Sequence, residues 1–138
     1  MEPDEICRLF NLLRGGKIES ANWDETDLRF VLHHPKLADR CMPESSKFFC
    51  TLKQCTEIKL QPFRNASTTI DGLDQILQLE IQILGDGKVS GGKVKVDCKH
   101  TASDSGGSLI VKADSLFVYD ESFDQLTIER LMGLRSAP

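Results

Sequence analysis

Lys93-Val94-Lys95-Val96-Asp97-Cys98-Lys99-His100 alternates without interruption. Successive side chains of a strand point to opposite faces. Val94, Val96, Cys98 and His100 therefore share one face, and Lys93, Lys95, Asp97 and Lys99 the other. One dry face and one wet face is the mark of an antiparallel sheet packed on a single side. Parallel strands covered on both faces read as continuous apolar runs instead.

The neighbouring segments follow the same period. Upstream, Leu79, Ile81 and Ile83 alternate before a glycine-rich turn that begins at Gly85-Asp86-Gly87. Downstream, Ser103 to Gly107 is a loop. Leu109–Ala113 and Leu116–Tyr119 are strands separated by Asp114-Ser115. Nearer the start, Ser46–Lys53 places Phe48, Cys50 and Leu52 on one face, and Thr56–Phe63 continues through Ile58 and Leu60. The short link Gln54-Cys55 predicts that these two strands form a hairpin. Arg64 to Thr69 is a polar loop, and Asp71 suits the cap of a short helix containing Leu73, Ile76 and Leu77. Lys17–Trp23 is a first strand and Asp24-Glu25-Thr26-Asp27 its turn. Leu28, Phe30 and Leu32 then alternate with Arg29, Val31 and His33 until Pro35, and residues 36–41 make a short helical turn.

The ends read as helices. Over residues 3–14, Ile6, Leu9, Phe10 and Leu13 lie on one helical face. Pro3 fits the first helical position, Asp4 and Glu5 complement the dipole, and Gly15-Gly16 stops the run. Ser122 and Gln125 match a capping box for a helix over residues 123–133, with Leu126, Ile128, Leu131 and Met132 as its apolar surface. The predicted fold is α+β in one domain, residues 1–138. It is a curved antiparallel sheet or partial barrel of about seven to eight strands with N- and C-terminal helices. Short turns between strands favour antiparallel pairing, and no strand–long-helix alternation suggests a doubly wound sheet.

The 138 residues carry 17 basic and 21 acidic side chains, a formal charge of −4. Residues 1–44 hold nine acids and six bases, residues 45–100 six acids and eight bases, and residues 101–138 six acids and three bases. A weakly basic middle between acidic ends argues against nucleic-acid binding, which rests on phosphate neutralisation. No apolar run approaches the ~20 residues of a membrane span. The acidic start and the interrupted apolar segment after it do not suit a signal peptide. Five cysteines, an odd number without a C-x-x-C pair, suggest free thiols in a cytoplasmic protein. The sequon Asn65-Ala66-Ser67 has meaning only for a secreted chain.

Several motifs invite chemistry and are better explained as structure. Gly87 to Lys93 has the G-x-x-x-x-G-K spacing of a phosphate loop, but Val94 replaces the hydroxyl residue and a strand follows where a helix belongs. Cys98 and His100 share a strand face and, with His33, are the candidate ligand or metal residues. Two ligands do not make a site, and Cys98 is expected to pack in the sheet. Asp24, Glu25 and Asp27 read as a solvated turn. Lys93, Lys95 and Lys99 are expected to share an outer face with Lys53 and Lys59, where lysines guard strands against aggregation.

No catalytic residue, metal or cofactor is assigned. The leading expectation is a small intracellular, non-enzymatic binding or regulatory protein acting through a protein–protein surface, possible forms being an immunity-type inhibitor and a homodimer. The partner is another protein or a second copy, with neither nucleic acid nor membrane. Its candidate interface residues are the strand-end aromatics Trp23, Phe63 and Tyr119, together with Asp120, Glu121 and Asp124. The alternative is a small-molecule-binding or hydrolytic domain with a cavity in the curved sheet beside Cys98 and His100.

Overall fold

Helix α1 (Pro3–Leu12) starts where Pro3 presets the first helical position and the Glu2 amide donates to Glu5 Oε1 at 3.3 Å. It ends at Leu12, and beyond it Gly15 adopts φ +93° and donates its N–H to the Ile83 carbonyl at 2.7 Å. The structure, a computed structural model, describes residues 1–65 and 67–136. Ala66, the centre of the sequon, lies outside the described residues.

The remaining elements in chain order are β1 (Lys17–Asp24), β2 (Asp27–His33), α2 (Pro35–Cys41), β3 (Lys47–Lys53), β4 (Glu57–Pro62) and α3 (Leu73–Gln78). Then come β5 (Ile81–Ser90), β6 (Lys93–His100), β7 (Ser105–Lys112), β8 (Ser115–Tyr119), β9 (Gln125–Leu126) and α4 (Ile128–Ser136). The strands form one antiparallel sheet in the order β4-β7-β6-β5-β1-β2-β3-β8-β9. The α+β class, the curved sheet and both terminal helices are as the sequence predicts. Among the described residues the sheet has nine strands, the ninth being the two-residue β9. Among the described residues, no helix is long and apolar enough to cross a membrane.

The predicted hairpin between β3 and β4 does not form. β3 pairs with β2 and β8, whereas β4 pairs with β7. The cause lies in the link. Gln54 takes a left-handed φ of +48°, its amide donates to Asp27 Oδ1 at 3.0 Å, and the Cys55 amide donates to the Thr26 carbonyl at 2.8 Å. The chain thus crosses to the far half of the sheet. Six strand spacings separate β3 from β4 in the order, about 29 Å if the sheet were flat. The residues joining them reach about 14 Å at most. The β7–β8 link is shorter still and spans the same interval. The sheet must therefore curl until its halves face each other. It stays open: among the described residues the edge strands β4 and β9 do not pair, while β5 and β1 meet through the register pair Lys17–Gln82.

The core fills this curl. Leu28, Phe30 and Leu32 of β2 and Phe48, Cys50 and Leu52 of β3 face Val94, Val96 and Cys98 of β6 and Leu109 and Val111 of β7. Phe10 and Leu13 cover one opening and are fully buried. Each such side chain contributes about 1.5–3 kcal/mol by leaving water.

Two further expectations are corrected. The segment Gly85-Asp86-Gly87 is no turn but a doubly bulged part of β5, where the register slips on either side of Gly85. α1 rests on it: the Gly87 amide donates to Asn11 Oδ1 at 2.9 Å, and a Cβ on Gly87 would stand 2.7 Å from Cys7 Sγ. The turn falls at Gly91-Gly92, both with positive φ. The C-terminal helix begins at Ile128 rather than 123, with Thr127 Oγ1 accepting from the Arg130 amide at 3.1 Å. Residues 120–124 form a loop between β8 and β9 instead, and the Ser122–Gln125 box is not made.

His34 links α2 to the segment after α1, which α4 also reaches. Its Nδ1 accepts from the Leu37 amide at 3.3 Å and caps α2, while Nε2 lies 2.9 Å from the Arg14 carbonyl. With Nδ1 accepting, Nε2 carries the proton. Arg135 of α4 donates to the same carbonyl.

Candidate functional site

The period that buries Phe48, Cys50 and Leu52 turns Phe49 and Thr51 outward. The same period turns Arg29 and Val31 outward on β2 and Tyr119 outward on β8, directly opposite Phe49. With Ser20 and Asn22 of β1, Lys53 at the end of β3 and Phe123 from the β8–β9 loop, they line a groove of about 460 Å³ on the outer sheet face.

Phe123 is built into this groove rather than left loose. It is 69% exposed and holds φ +64°, a conformation that costs a non-glycine residue roughly 1–2 kcal/mol. Its ring stacks on Phe49 with centroids 4.8 Å apart and planes 9° from parallel. Lys47 Nζ sits 5.8 Å from the Phe49 centroid. The loop under Phe123 is locked by Asp120. Its Oδ1 accepts from the Ser122 amide at 2.8 Å and the Asp124 amide at 3.0 Å. The Phe123 amide donates to the Asp120 carbonyl, and the Asp120 amide donates to the Asp124 carbonyl. Strain at an exposed aromatic, held by a hydrogen-bonded turn, is the kind of local conflict that accompanies recognition sites.

The cations of the groove are positioned in the same way. Arg29 Nη2 lies 2.7 Å from Asp24 Oδ2, and Lys53 Nζ 2.9 Å from Asp27 Oδ2. The Gln54 amide and the Lys53 ammonium hold the Asp27 carboxyl below the usual carboxylate range. These pairs are exposed and add little stability, but they fix where the positive charges stand.

The candidate interface residues separate. Tyr119 lines the groove. Asp120 is buried and, like Glu121, is consumed within the chain. Glu121 Oε2 accepts from the Ser46 amide at 3.2 Å. The Ser45 hydroxyl and that amide hold its carboxyl below the ordinary value. Asp124 contributes its backbone to the loop. Trp23 stands apart at the end of β1, facing Glu57, Ile58, Lys59 and Asp71 across a shallow depression. Phe63 is exposed on the other half, where its ring lies against Gly106; a Cβ there would come within 3.0 Å of it. Lys59 and Lys93 both bind the Glu57 carboxylate, at 2.7 and 2.6 Å, on that half's outer face. Lys53 does not join them, because β3 belongs to the other half.

Cys98, His100 and His33 do not converge. His33 points outward toward Glu19, its Nδ1 3.8 Å from the carboxylate, three strands from β6. Cys98 is fully buried, and its thiol donates to the Val96 carbonyl rather than to His100. Burial pushes its pKa up to about 12, away from a reactive thiolate. His100 is buried at the end of β6, its Nε2 without a hydrogen-bond partner among the described residues, and desolvation lowers its pKa. Among the described residues no three His, Cys, Asp or Glu side chains gather as metal ligands. Inside the sheet, the apolar void between Phe10, Phe30, Leu52 and Leu109 holds about 20 Å³, far below the ~300 Å³ of a small-ligand site.

Fold and site thus define an open, curled antiparallel α+β protein with an aromatic, cation-flanked groove on its outer face. No protein-family model, no curated protein and no solved structure matches the chain.

Proposed function

We propose that the protein is a small cytoplasmic, non-enzymatic binding or regulatory protein that takes a protein partner on the outer groove of β1, β2, β3 and β8. The observation that carries this reading is Phe123: a largely exposed aromatic held at positive φ by the Asp120 turn and stacked on Phe49. Large, rigid aromatics at the centre of a patch dominate interface energetics, and a pre-ordered side chain avoids the entropy of ordering it on binding. The five free thiols suit a reducing compartment. Inhibition of an enzyme by covering its surface, as in an immunity-type protein, is one form this role takes.

A photo-crosslinking amino acid placed at position 123, with a control at position 99 on the other half of the sheet, tests the reading in host cells. One adduct of discrete mass from position 123 and none from position 99 is expected. Equal labelling from both positions, or none from 123, refutes it. An adduct of twice the chain mass would make the partner a second copy.

A further inference from the structure

We infer that the corner where α1, α2 and α4 end binds a phosphate-class dianion, held by Arg14, Arg40 and Arg135. The corner shares no residue with the outer groove, so the inference stands apart from the reading of that groove. Arg14 follows α1, and Arg40 and Arg135 lie in the last turns of α2 and α4. Hydrogen bonds bring the three ends together. Arg135 Nη2 and His34 Nε2 both donate to the Arg14 carbonyl. Arg40 Nη1 donates to the Leu134 carbonyl at 3.0 Å, next to Arg135, and Arg14 Nη1 donates to the Asn11 carbonyl at 3.0 Å. Arg14 is exposed and Arg40 and Arg135 are partly buried, so solvent reaches the corner.

Helix C-termini attract cations, which accounts for one N–H of each guanidinium and not for the rest. A guanidinium carries five N–H donors and no acceptor. Arg135 Nε is buried without a hydrogen-bond partner among the described residues. Such a donor is costly, and native structures contain few. The charge is also uncompensated. Lys17, Arg29, Lys53, Lys59 and Lys93 each have an acidic partner, whereas among the described residues Arg14, Arg40 and Arg135 have none. Like charges crowd instead: burial, then Arg14 and Arg40, lowers the pKa of Arg135. An oxyanion between them relieves both conflicts, accepting the Nε–H and offsetting the repulsion. A planar carboxylate matches one guanidinium fork, whereas a tetrahedral dianion carries more charge and turns oxygens toward several.

Thermal melts and phosphorus NMR on the full chain test the inference, with inorganic phosphate as the probe and sodium chloride at equal ionic strength as the control. Phosphate at about ten times its dissociation constant should raise the melting temperature by roughly 5 °C, and chloride should not. Arg135→Lys keeps the charge and loses the Nε–H, and Arg14→Gln removes an exposed charge. Each should weaken phosphate binding about tenfold, as for a hydrogen bond between charged groups. Lys95→Gln, exposed on the outer face of β6, should leave it unchanged. Phenyl phosphate separates the sources of the anion. Binding equal to that of phosphate assigns the corner to a phosphate ester, and its exclusion assigns it to the free ion. Equal effects of phosphate and chloride, unweakened binding in both arginine variants, or equal weakening by Lys95→Gln overturns the inference. If Arg135→Lys does not fold, Arg14→Gln decides.

Discussion

Replacing Asp120 by alanine removes the acceptor for two backbone amides without touching the groove itself. A hydrogen bond to a charged group nets about 1.5–3 kcal/mol. The loop is near the surface, so water recovers part of each amide, and the lower figure applies twice, about 3 kcal/mol in all. Releasing Phe123 from its left-handed conformation returns about 1 kcal/mol. Losing its stack on Phe49 costs about the same, so these two nearly cancel. A loss of about 3 kcal/mol shifts the melting temperature of a chain this size by roughly 10 °C. Asp120→Asn keeps a neutral oxygen in place and should lose about 1 kcal/mol.

Urea denaturation at pH 7 gives the order wild type, then Asp120→Asn, then Asp120→Ala. Hydrogen exchange locates the effect: the Ser122 and Asp124 amides should lose protection before those of β3 do. Both variants unfolding with the wild type, with those two amides still protected, would show that the carboxylate does not hold the loop. A second readout separates order from stability. Partner binding by Asp120→Ala should fall even at temperatures where the variant is fully folded, because Phe123 is no longer pre-positioned.

Burial lowers the pKa of both His34, which Arg135 and His33 depress further, and His100, from an ordinary 6.5. The unfolded chain then binds protons more readily than the native one. Stability should fall as pH drops below about 6.5, by up to ~1.4 kcal/mol per pH unit for each histidine. Urea midpoints between pH 7.5 and 5 measure this, and His100→Leu should reduce the slope; a flat profile refutes the assignment. Gly107→Ala puts a Cβ 2.7 Å from the Gln61 carbonyl on β4, so the β4–β7 edge must shift at a cost of about 1–3 kcal/mol, visible as lower exchange protection in β4. In the native state at pH 8, a thiol reagent should modify Cys41, partly exposed, well before Cys50 and Cys98, whose pKa values burial pushes up strongly; rapid labelling of all five would show that the sheet opens.

The strands and α1 were legible because burial acts on a local period. Val94, Val96 and Cys98 announce their face within eight residues, and the structure buries all three. What local pattern does not carry is which strands meet. The β3–β4 link looks like a hairpin by length, but a left-handed Gln54 and the capture of the Gln54 and Cys55 amides by Asp27 and Thr26, distant in sequence, send the chain across the curl. The C-terminal helix shows the same competition. Ser122 and Gln125 have the spacing of a cap, but Asp120 binds the Ser122 amide first, and Gln125-Leu126 pairs with Tyr119 and Val118 as a strand. A single carboxylate satisfying two amides outweighs a cap motif worth about 1 kcal/mol.

The site was legible in one residue and hidden in the rest for a related reason. Tyr119 lies in the groove, but of the acids the sequence offers for an interface, Asp120 and Glu121 spend their carboxylates on backbone amides. The signal for the groove was in the sequence all the same. Phe49 breaks the alternation of its own strand, standing as a large aromatic on the face opposite Phe48, Cys50 and Leu52. An aromatic on the wet side of a strand needs a cover or a partner, and here Phe123 supplies a partial cover from a distant loop. Phe123 could not be placed without knowing that β8 lies beside β3, since that pairing brings the loop over Phe49. The charge at the groove follows from the same accounting. Asp120 and Glu121 are taken up by backbone amides, and Arg29 and Lys53 are paired with Asp24 and Asp27, so the groove does not present the net −4 of the chain.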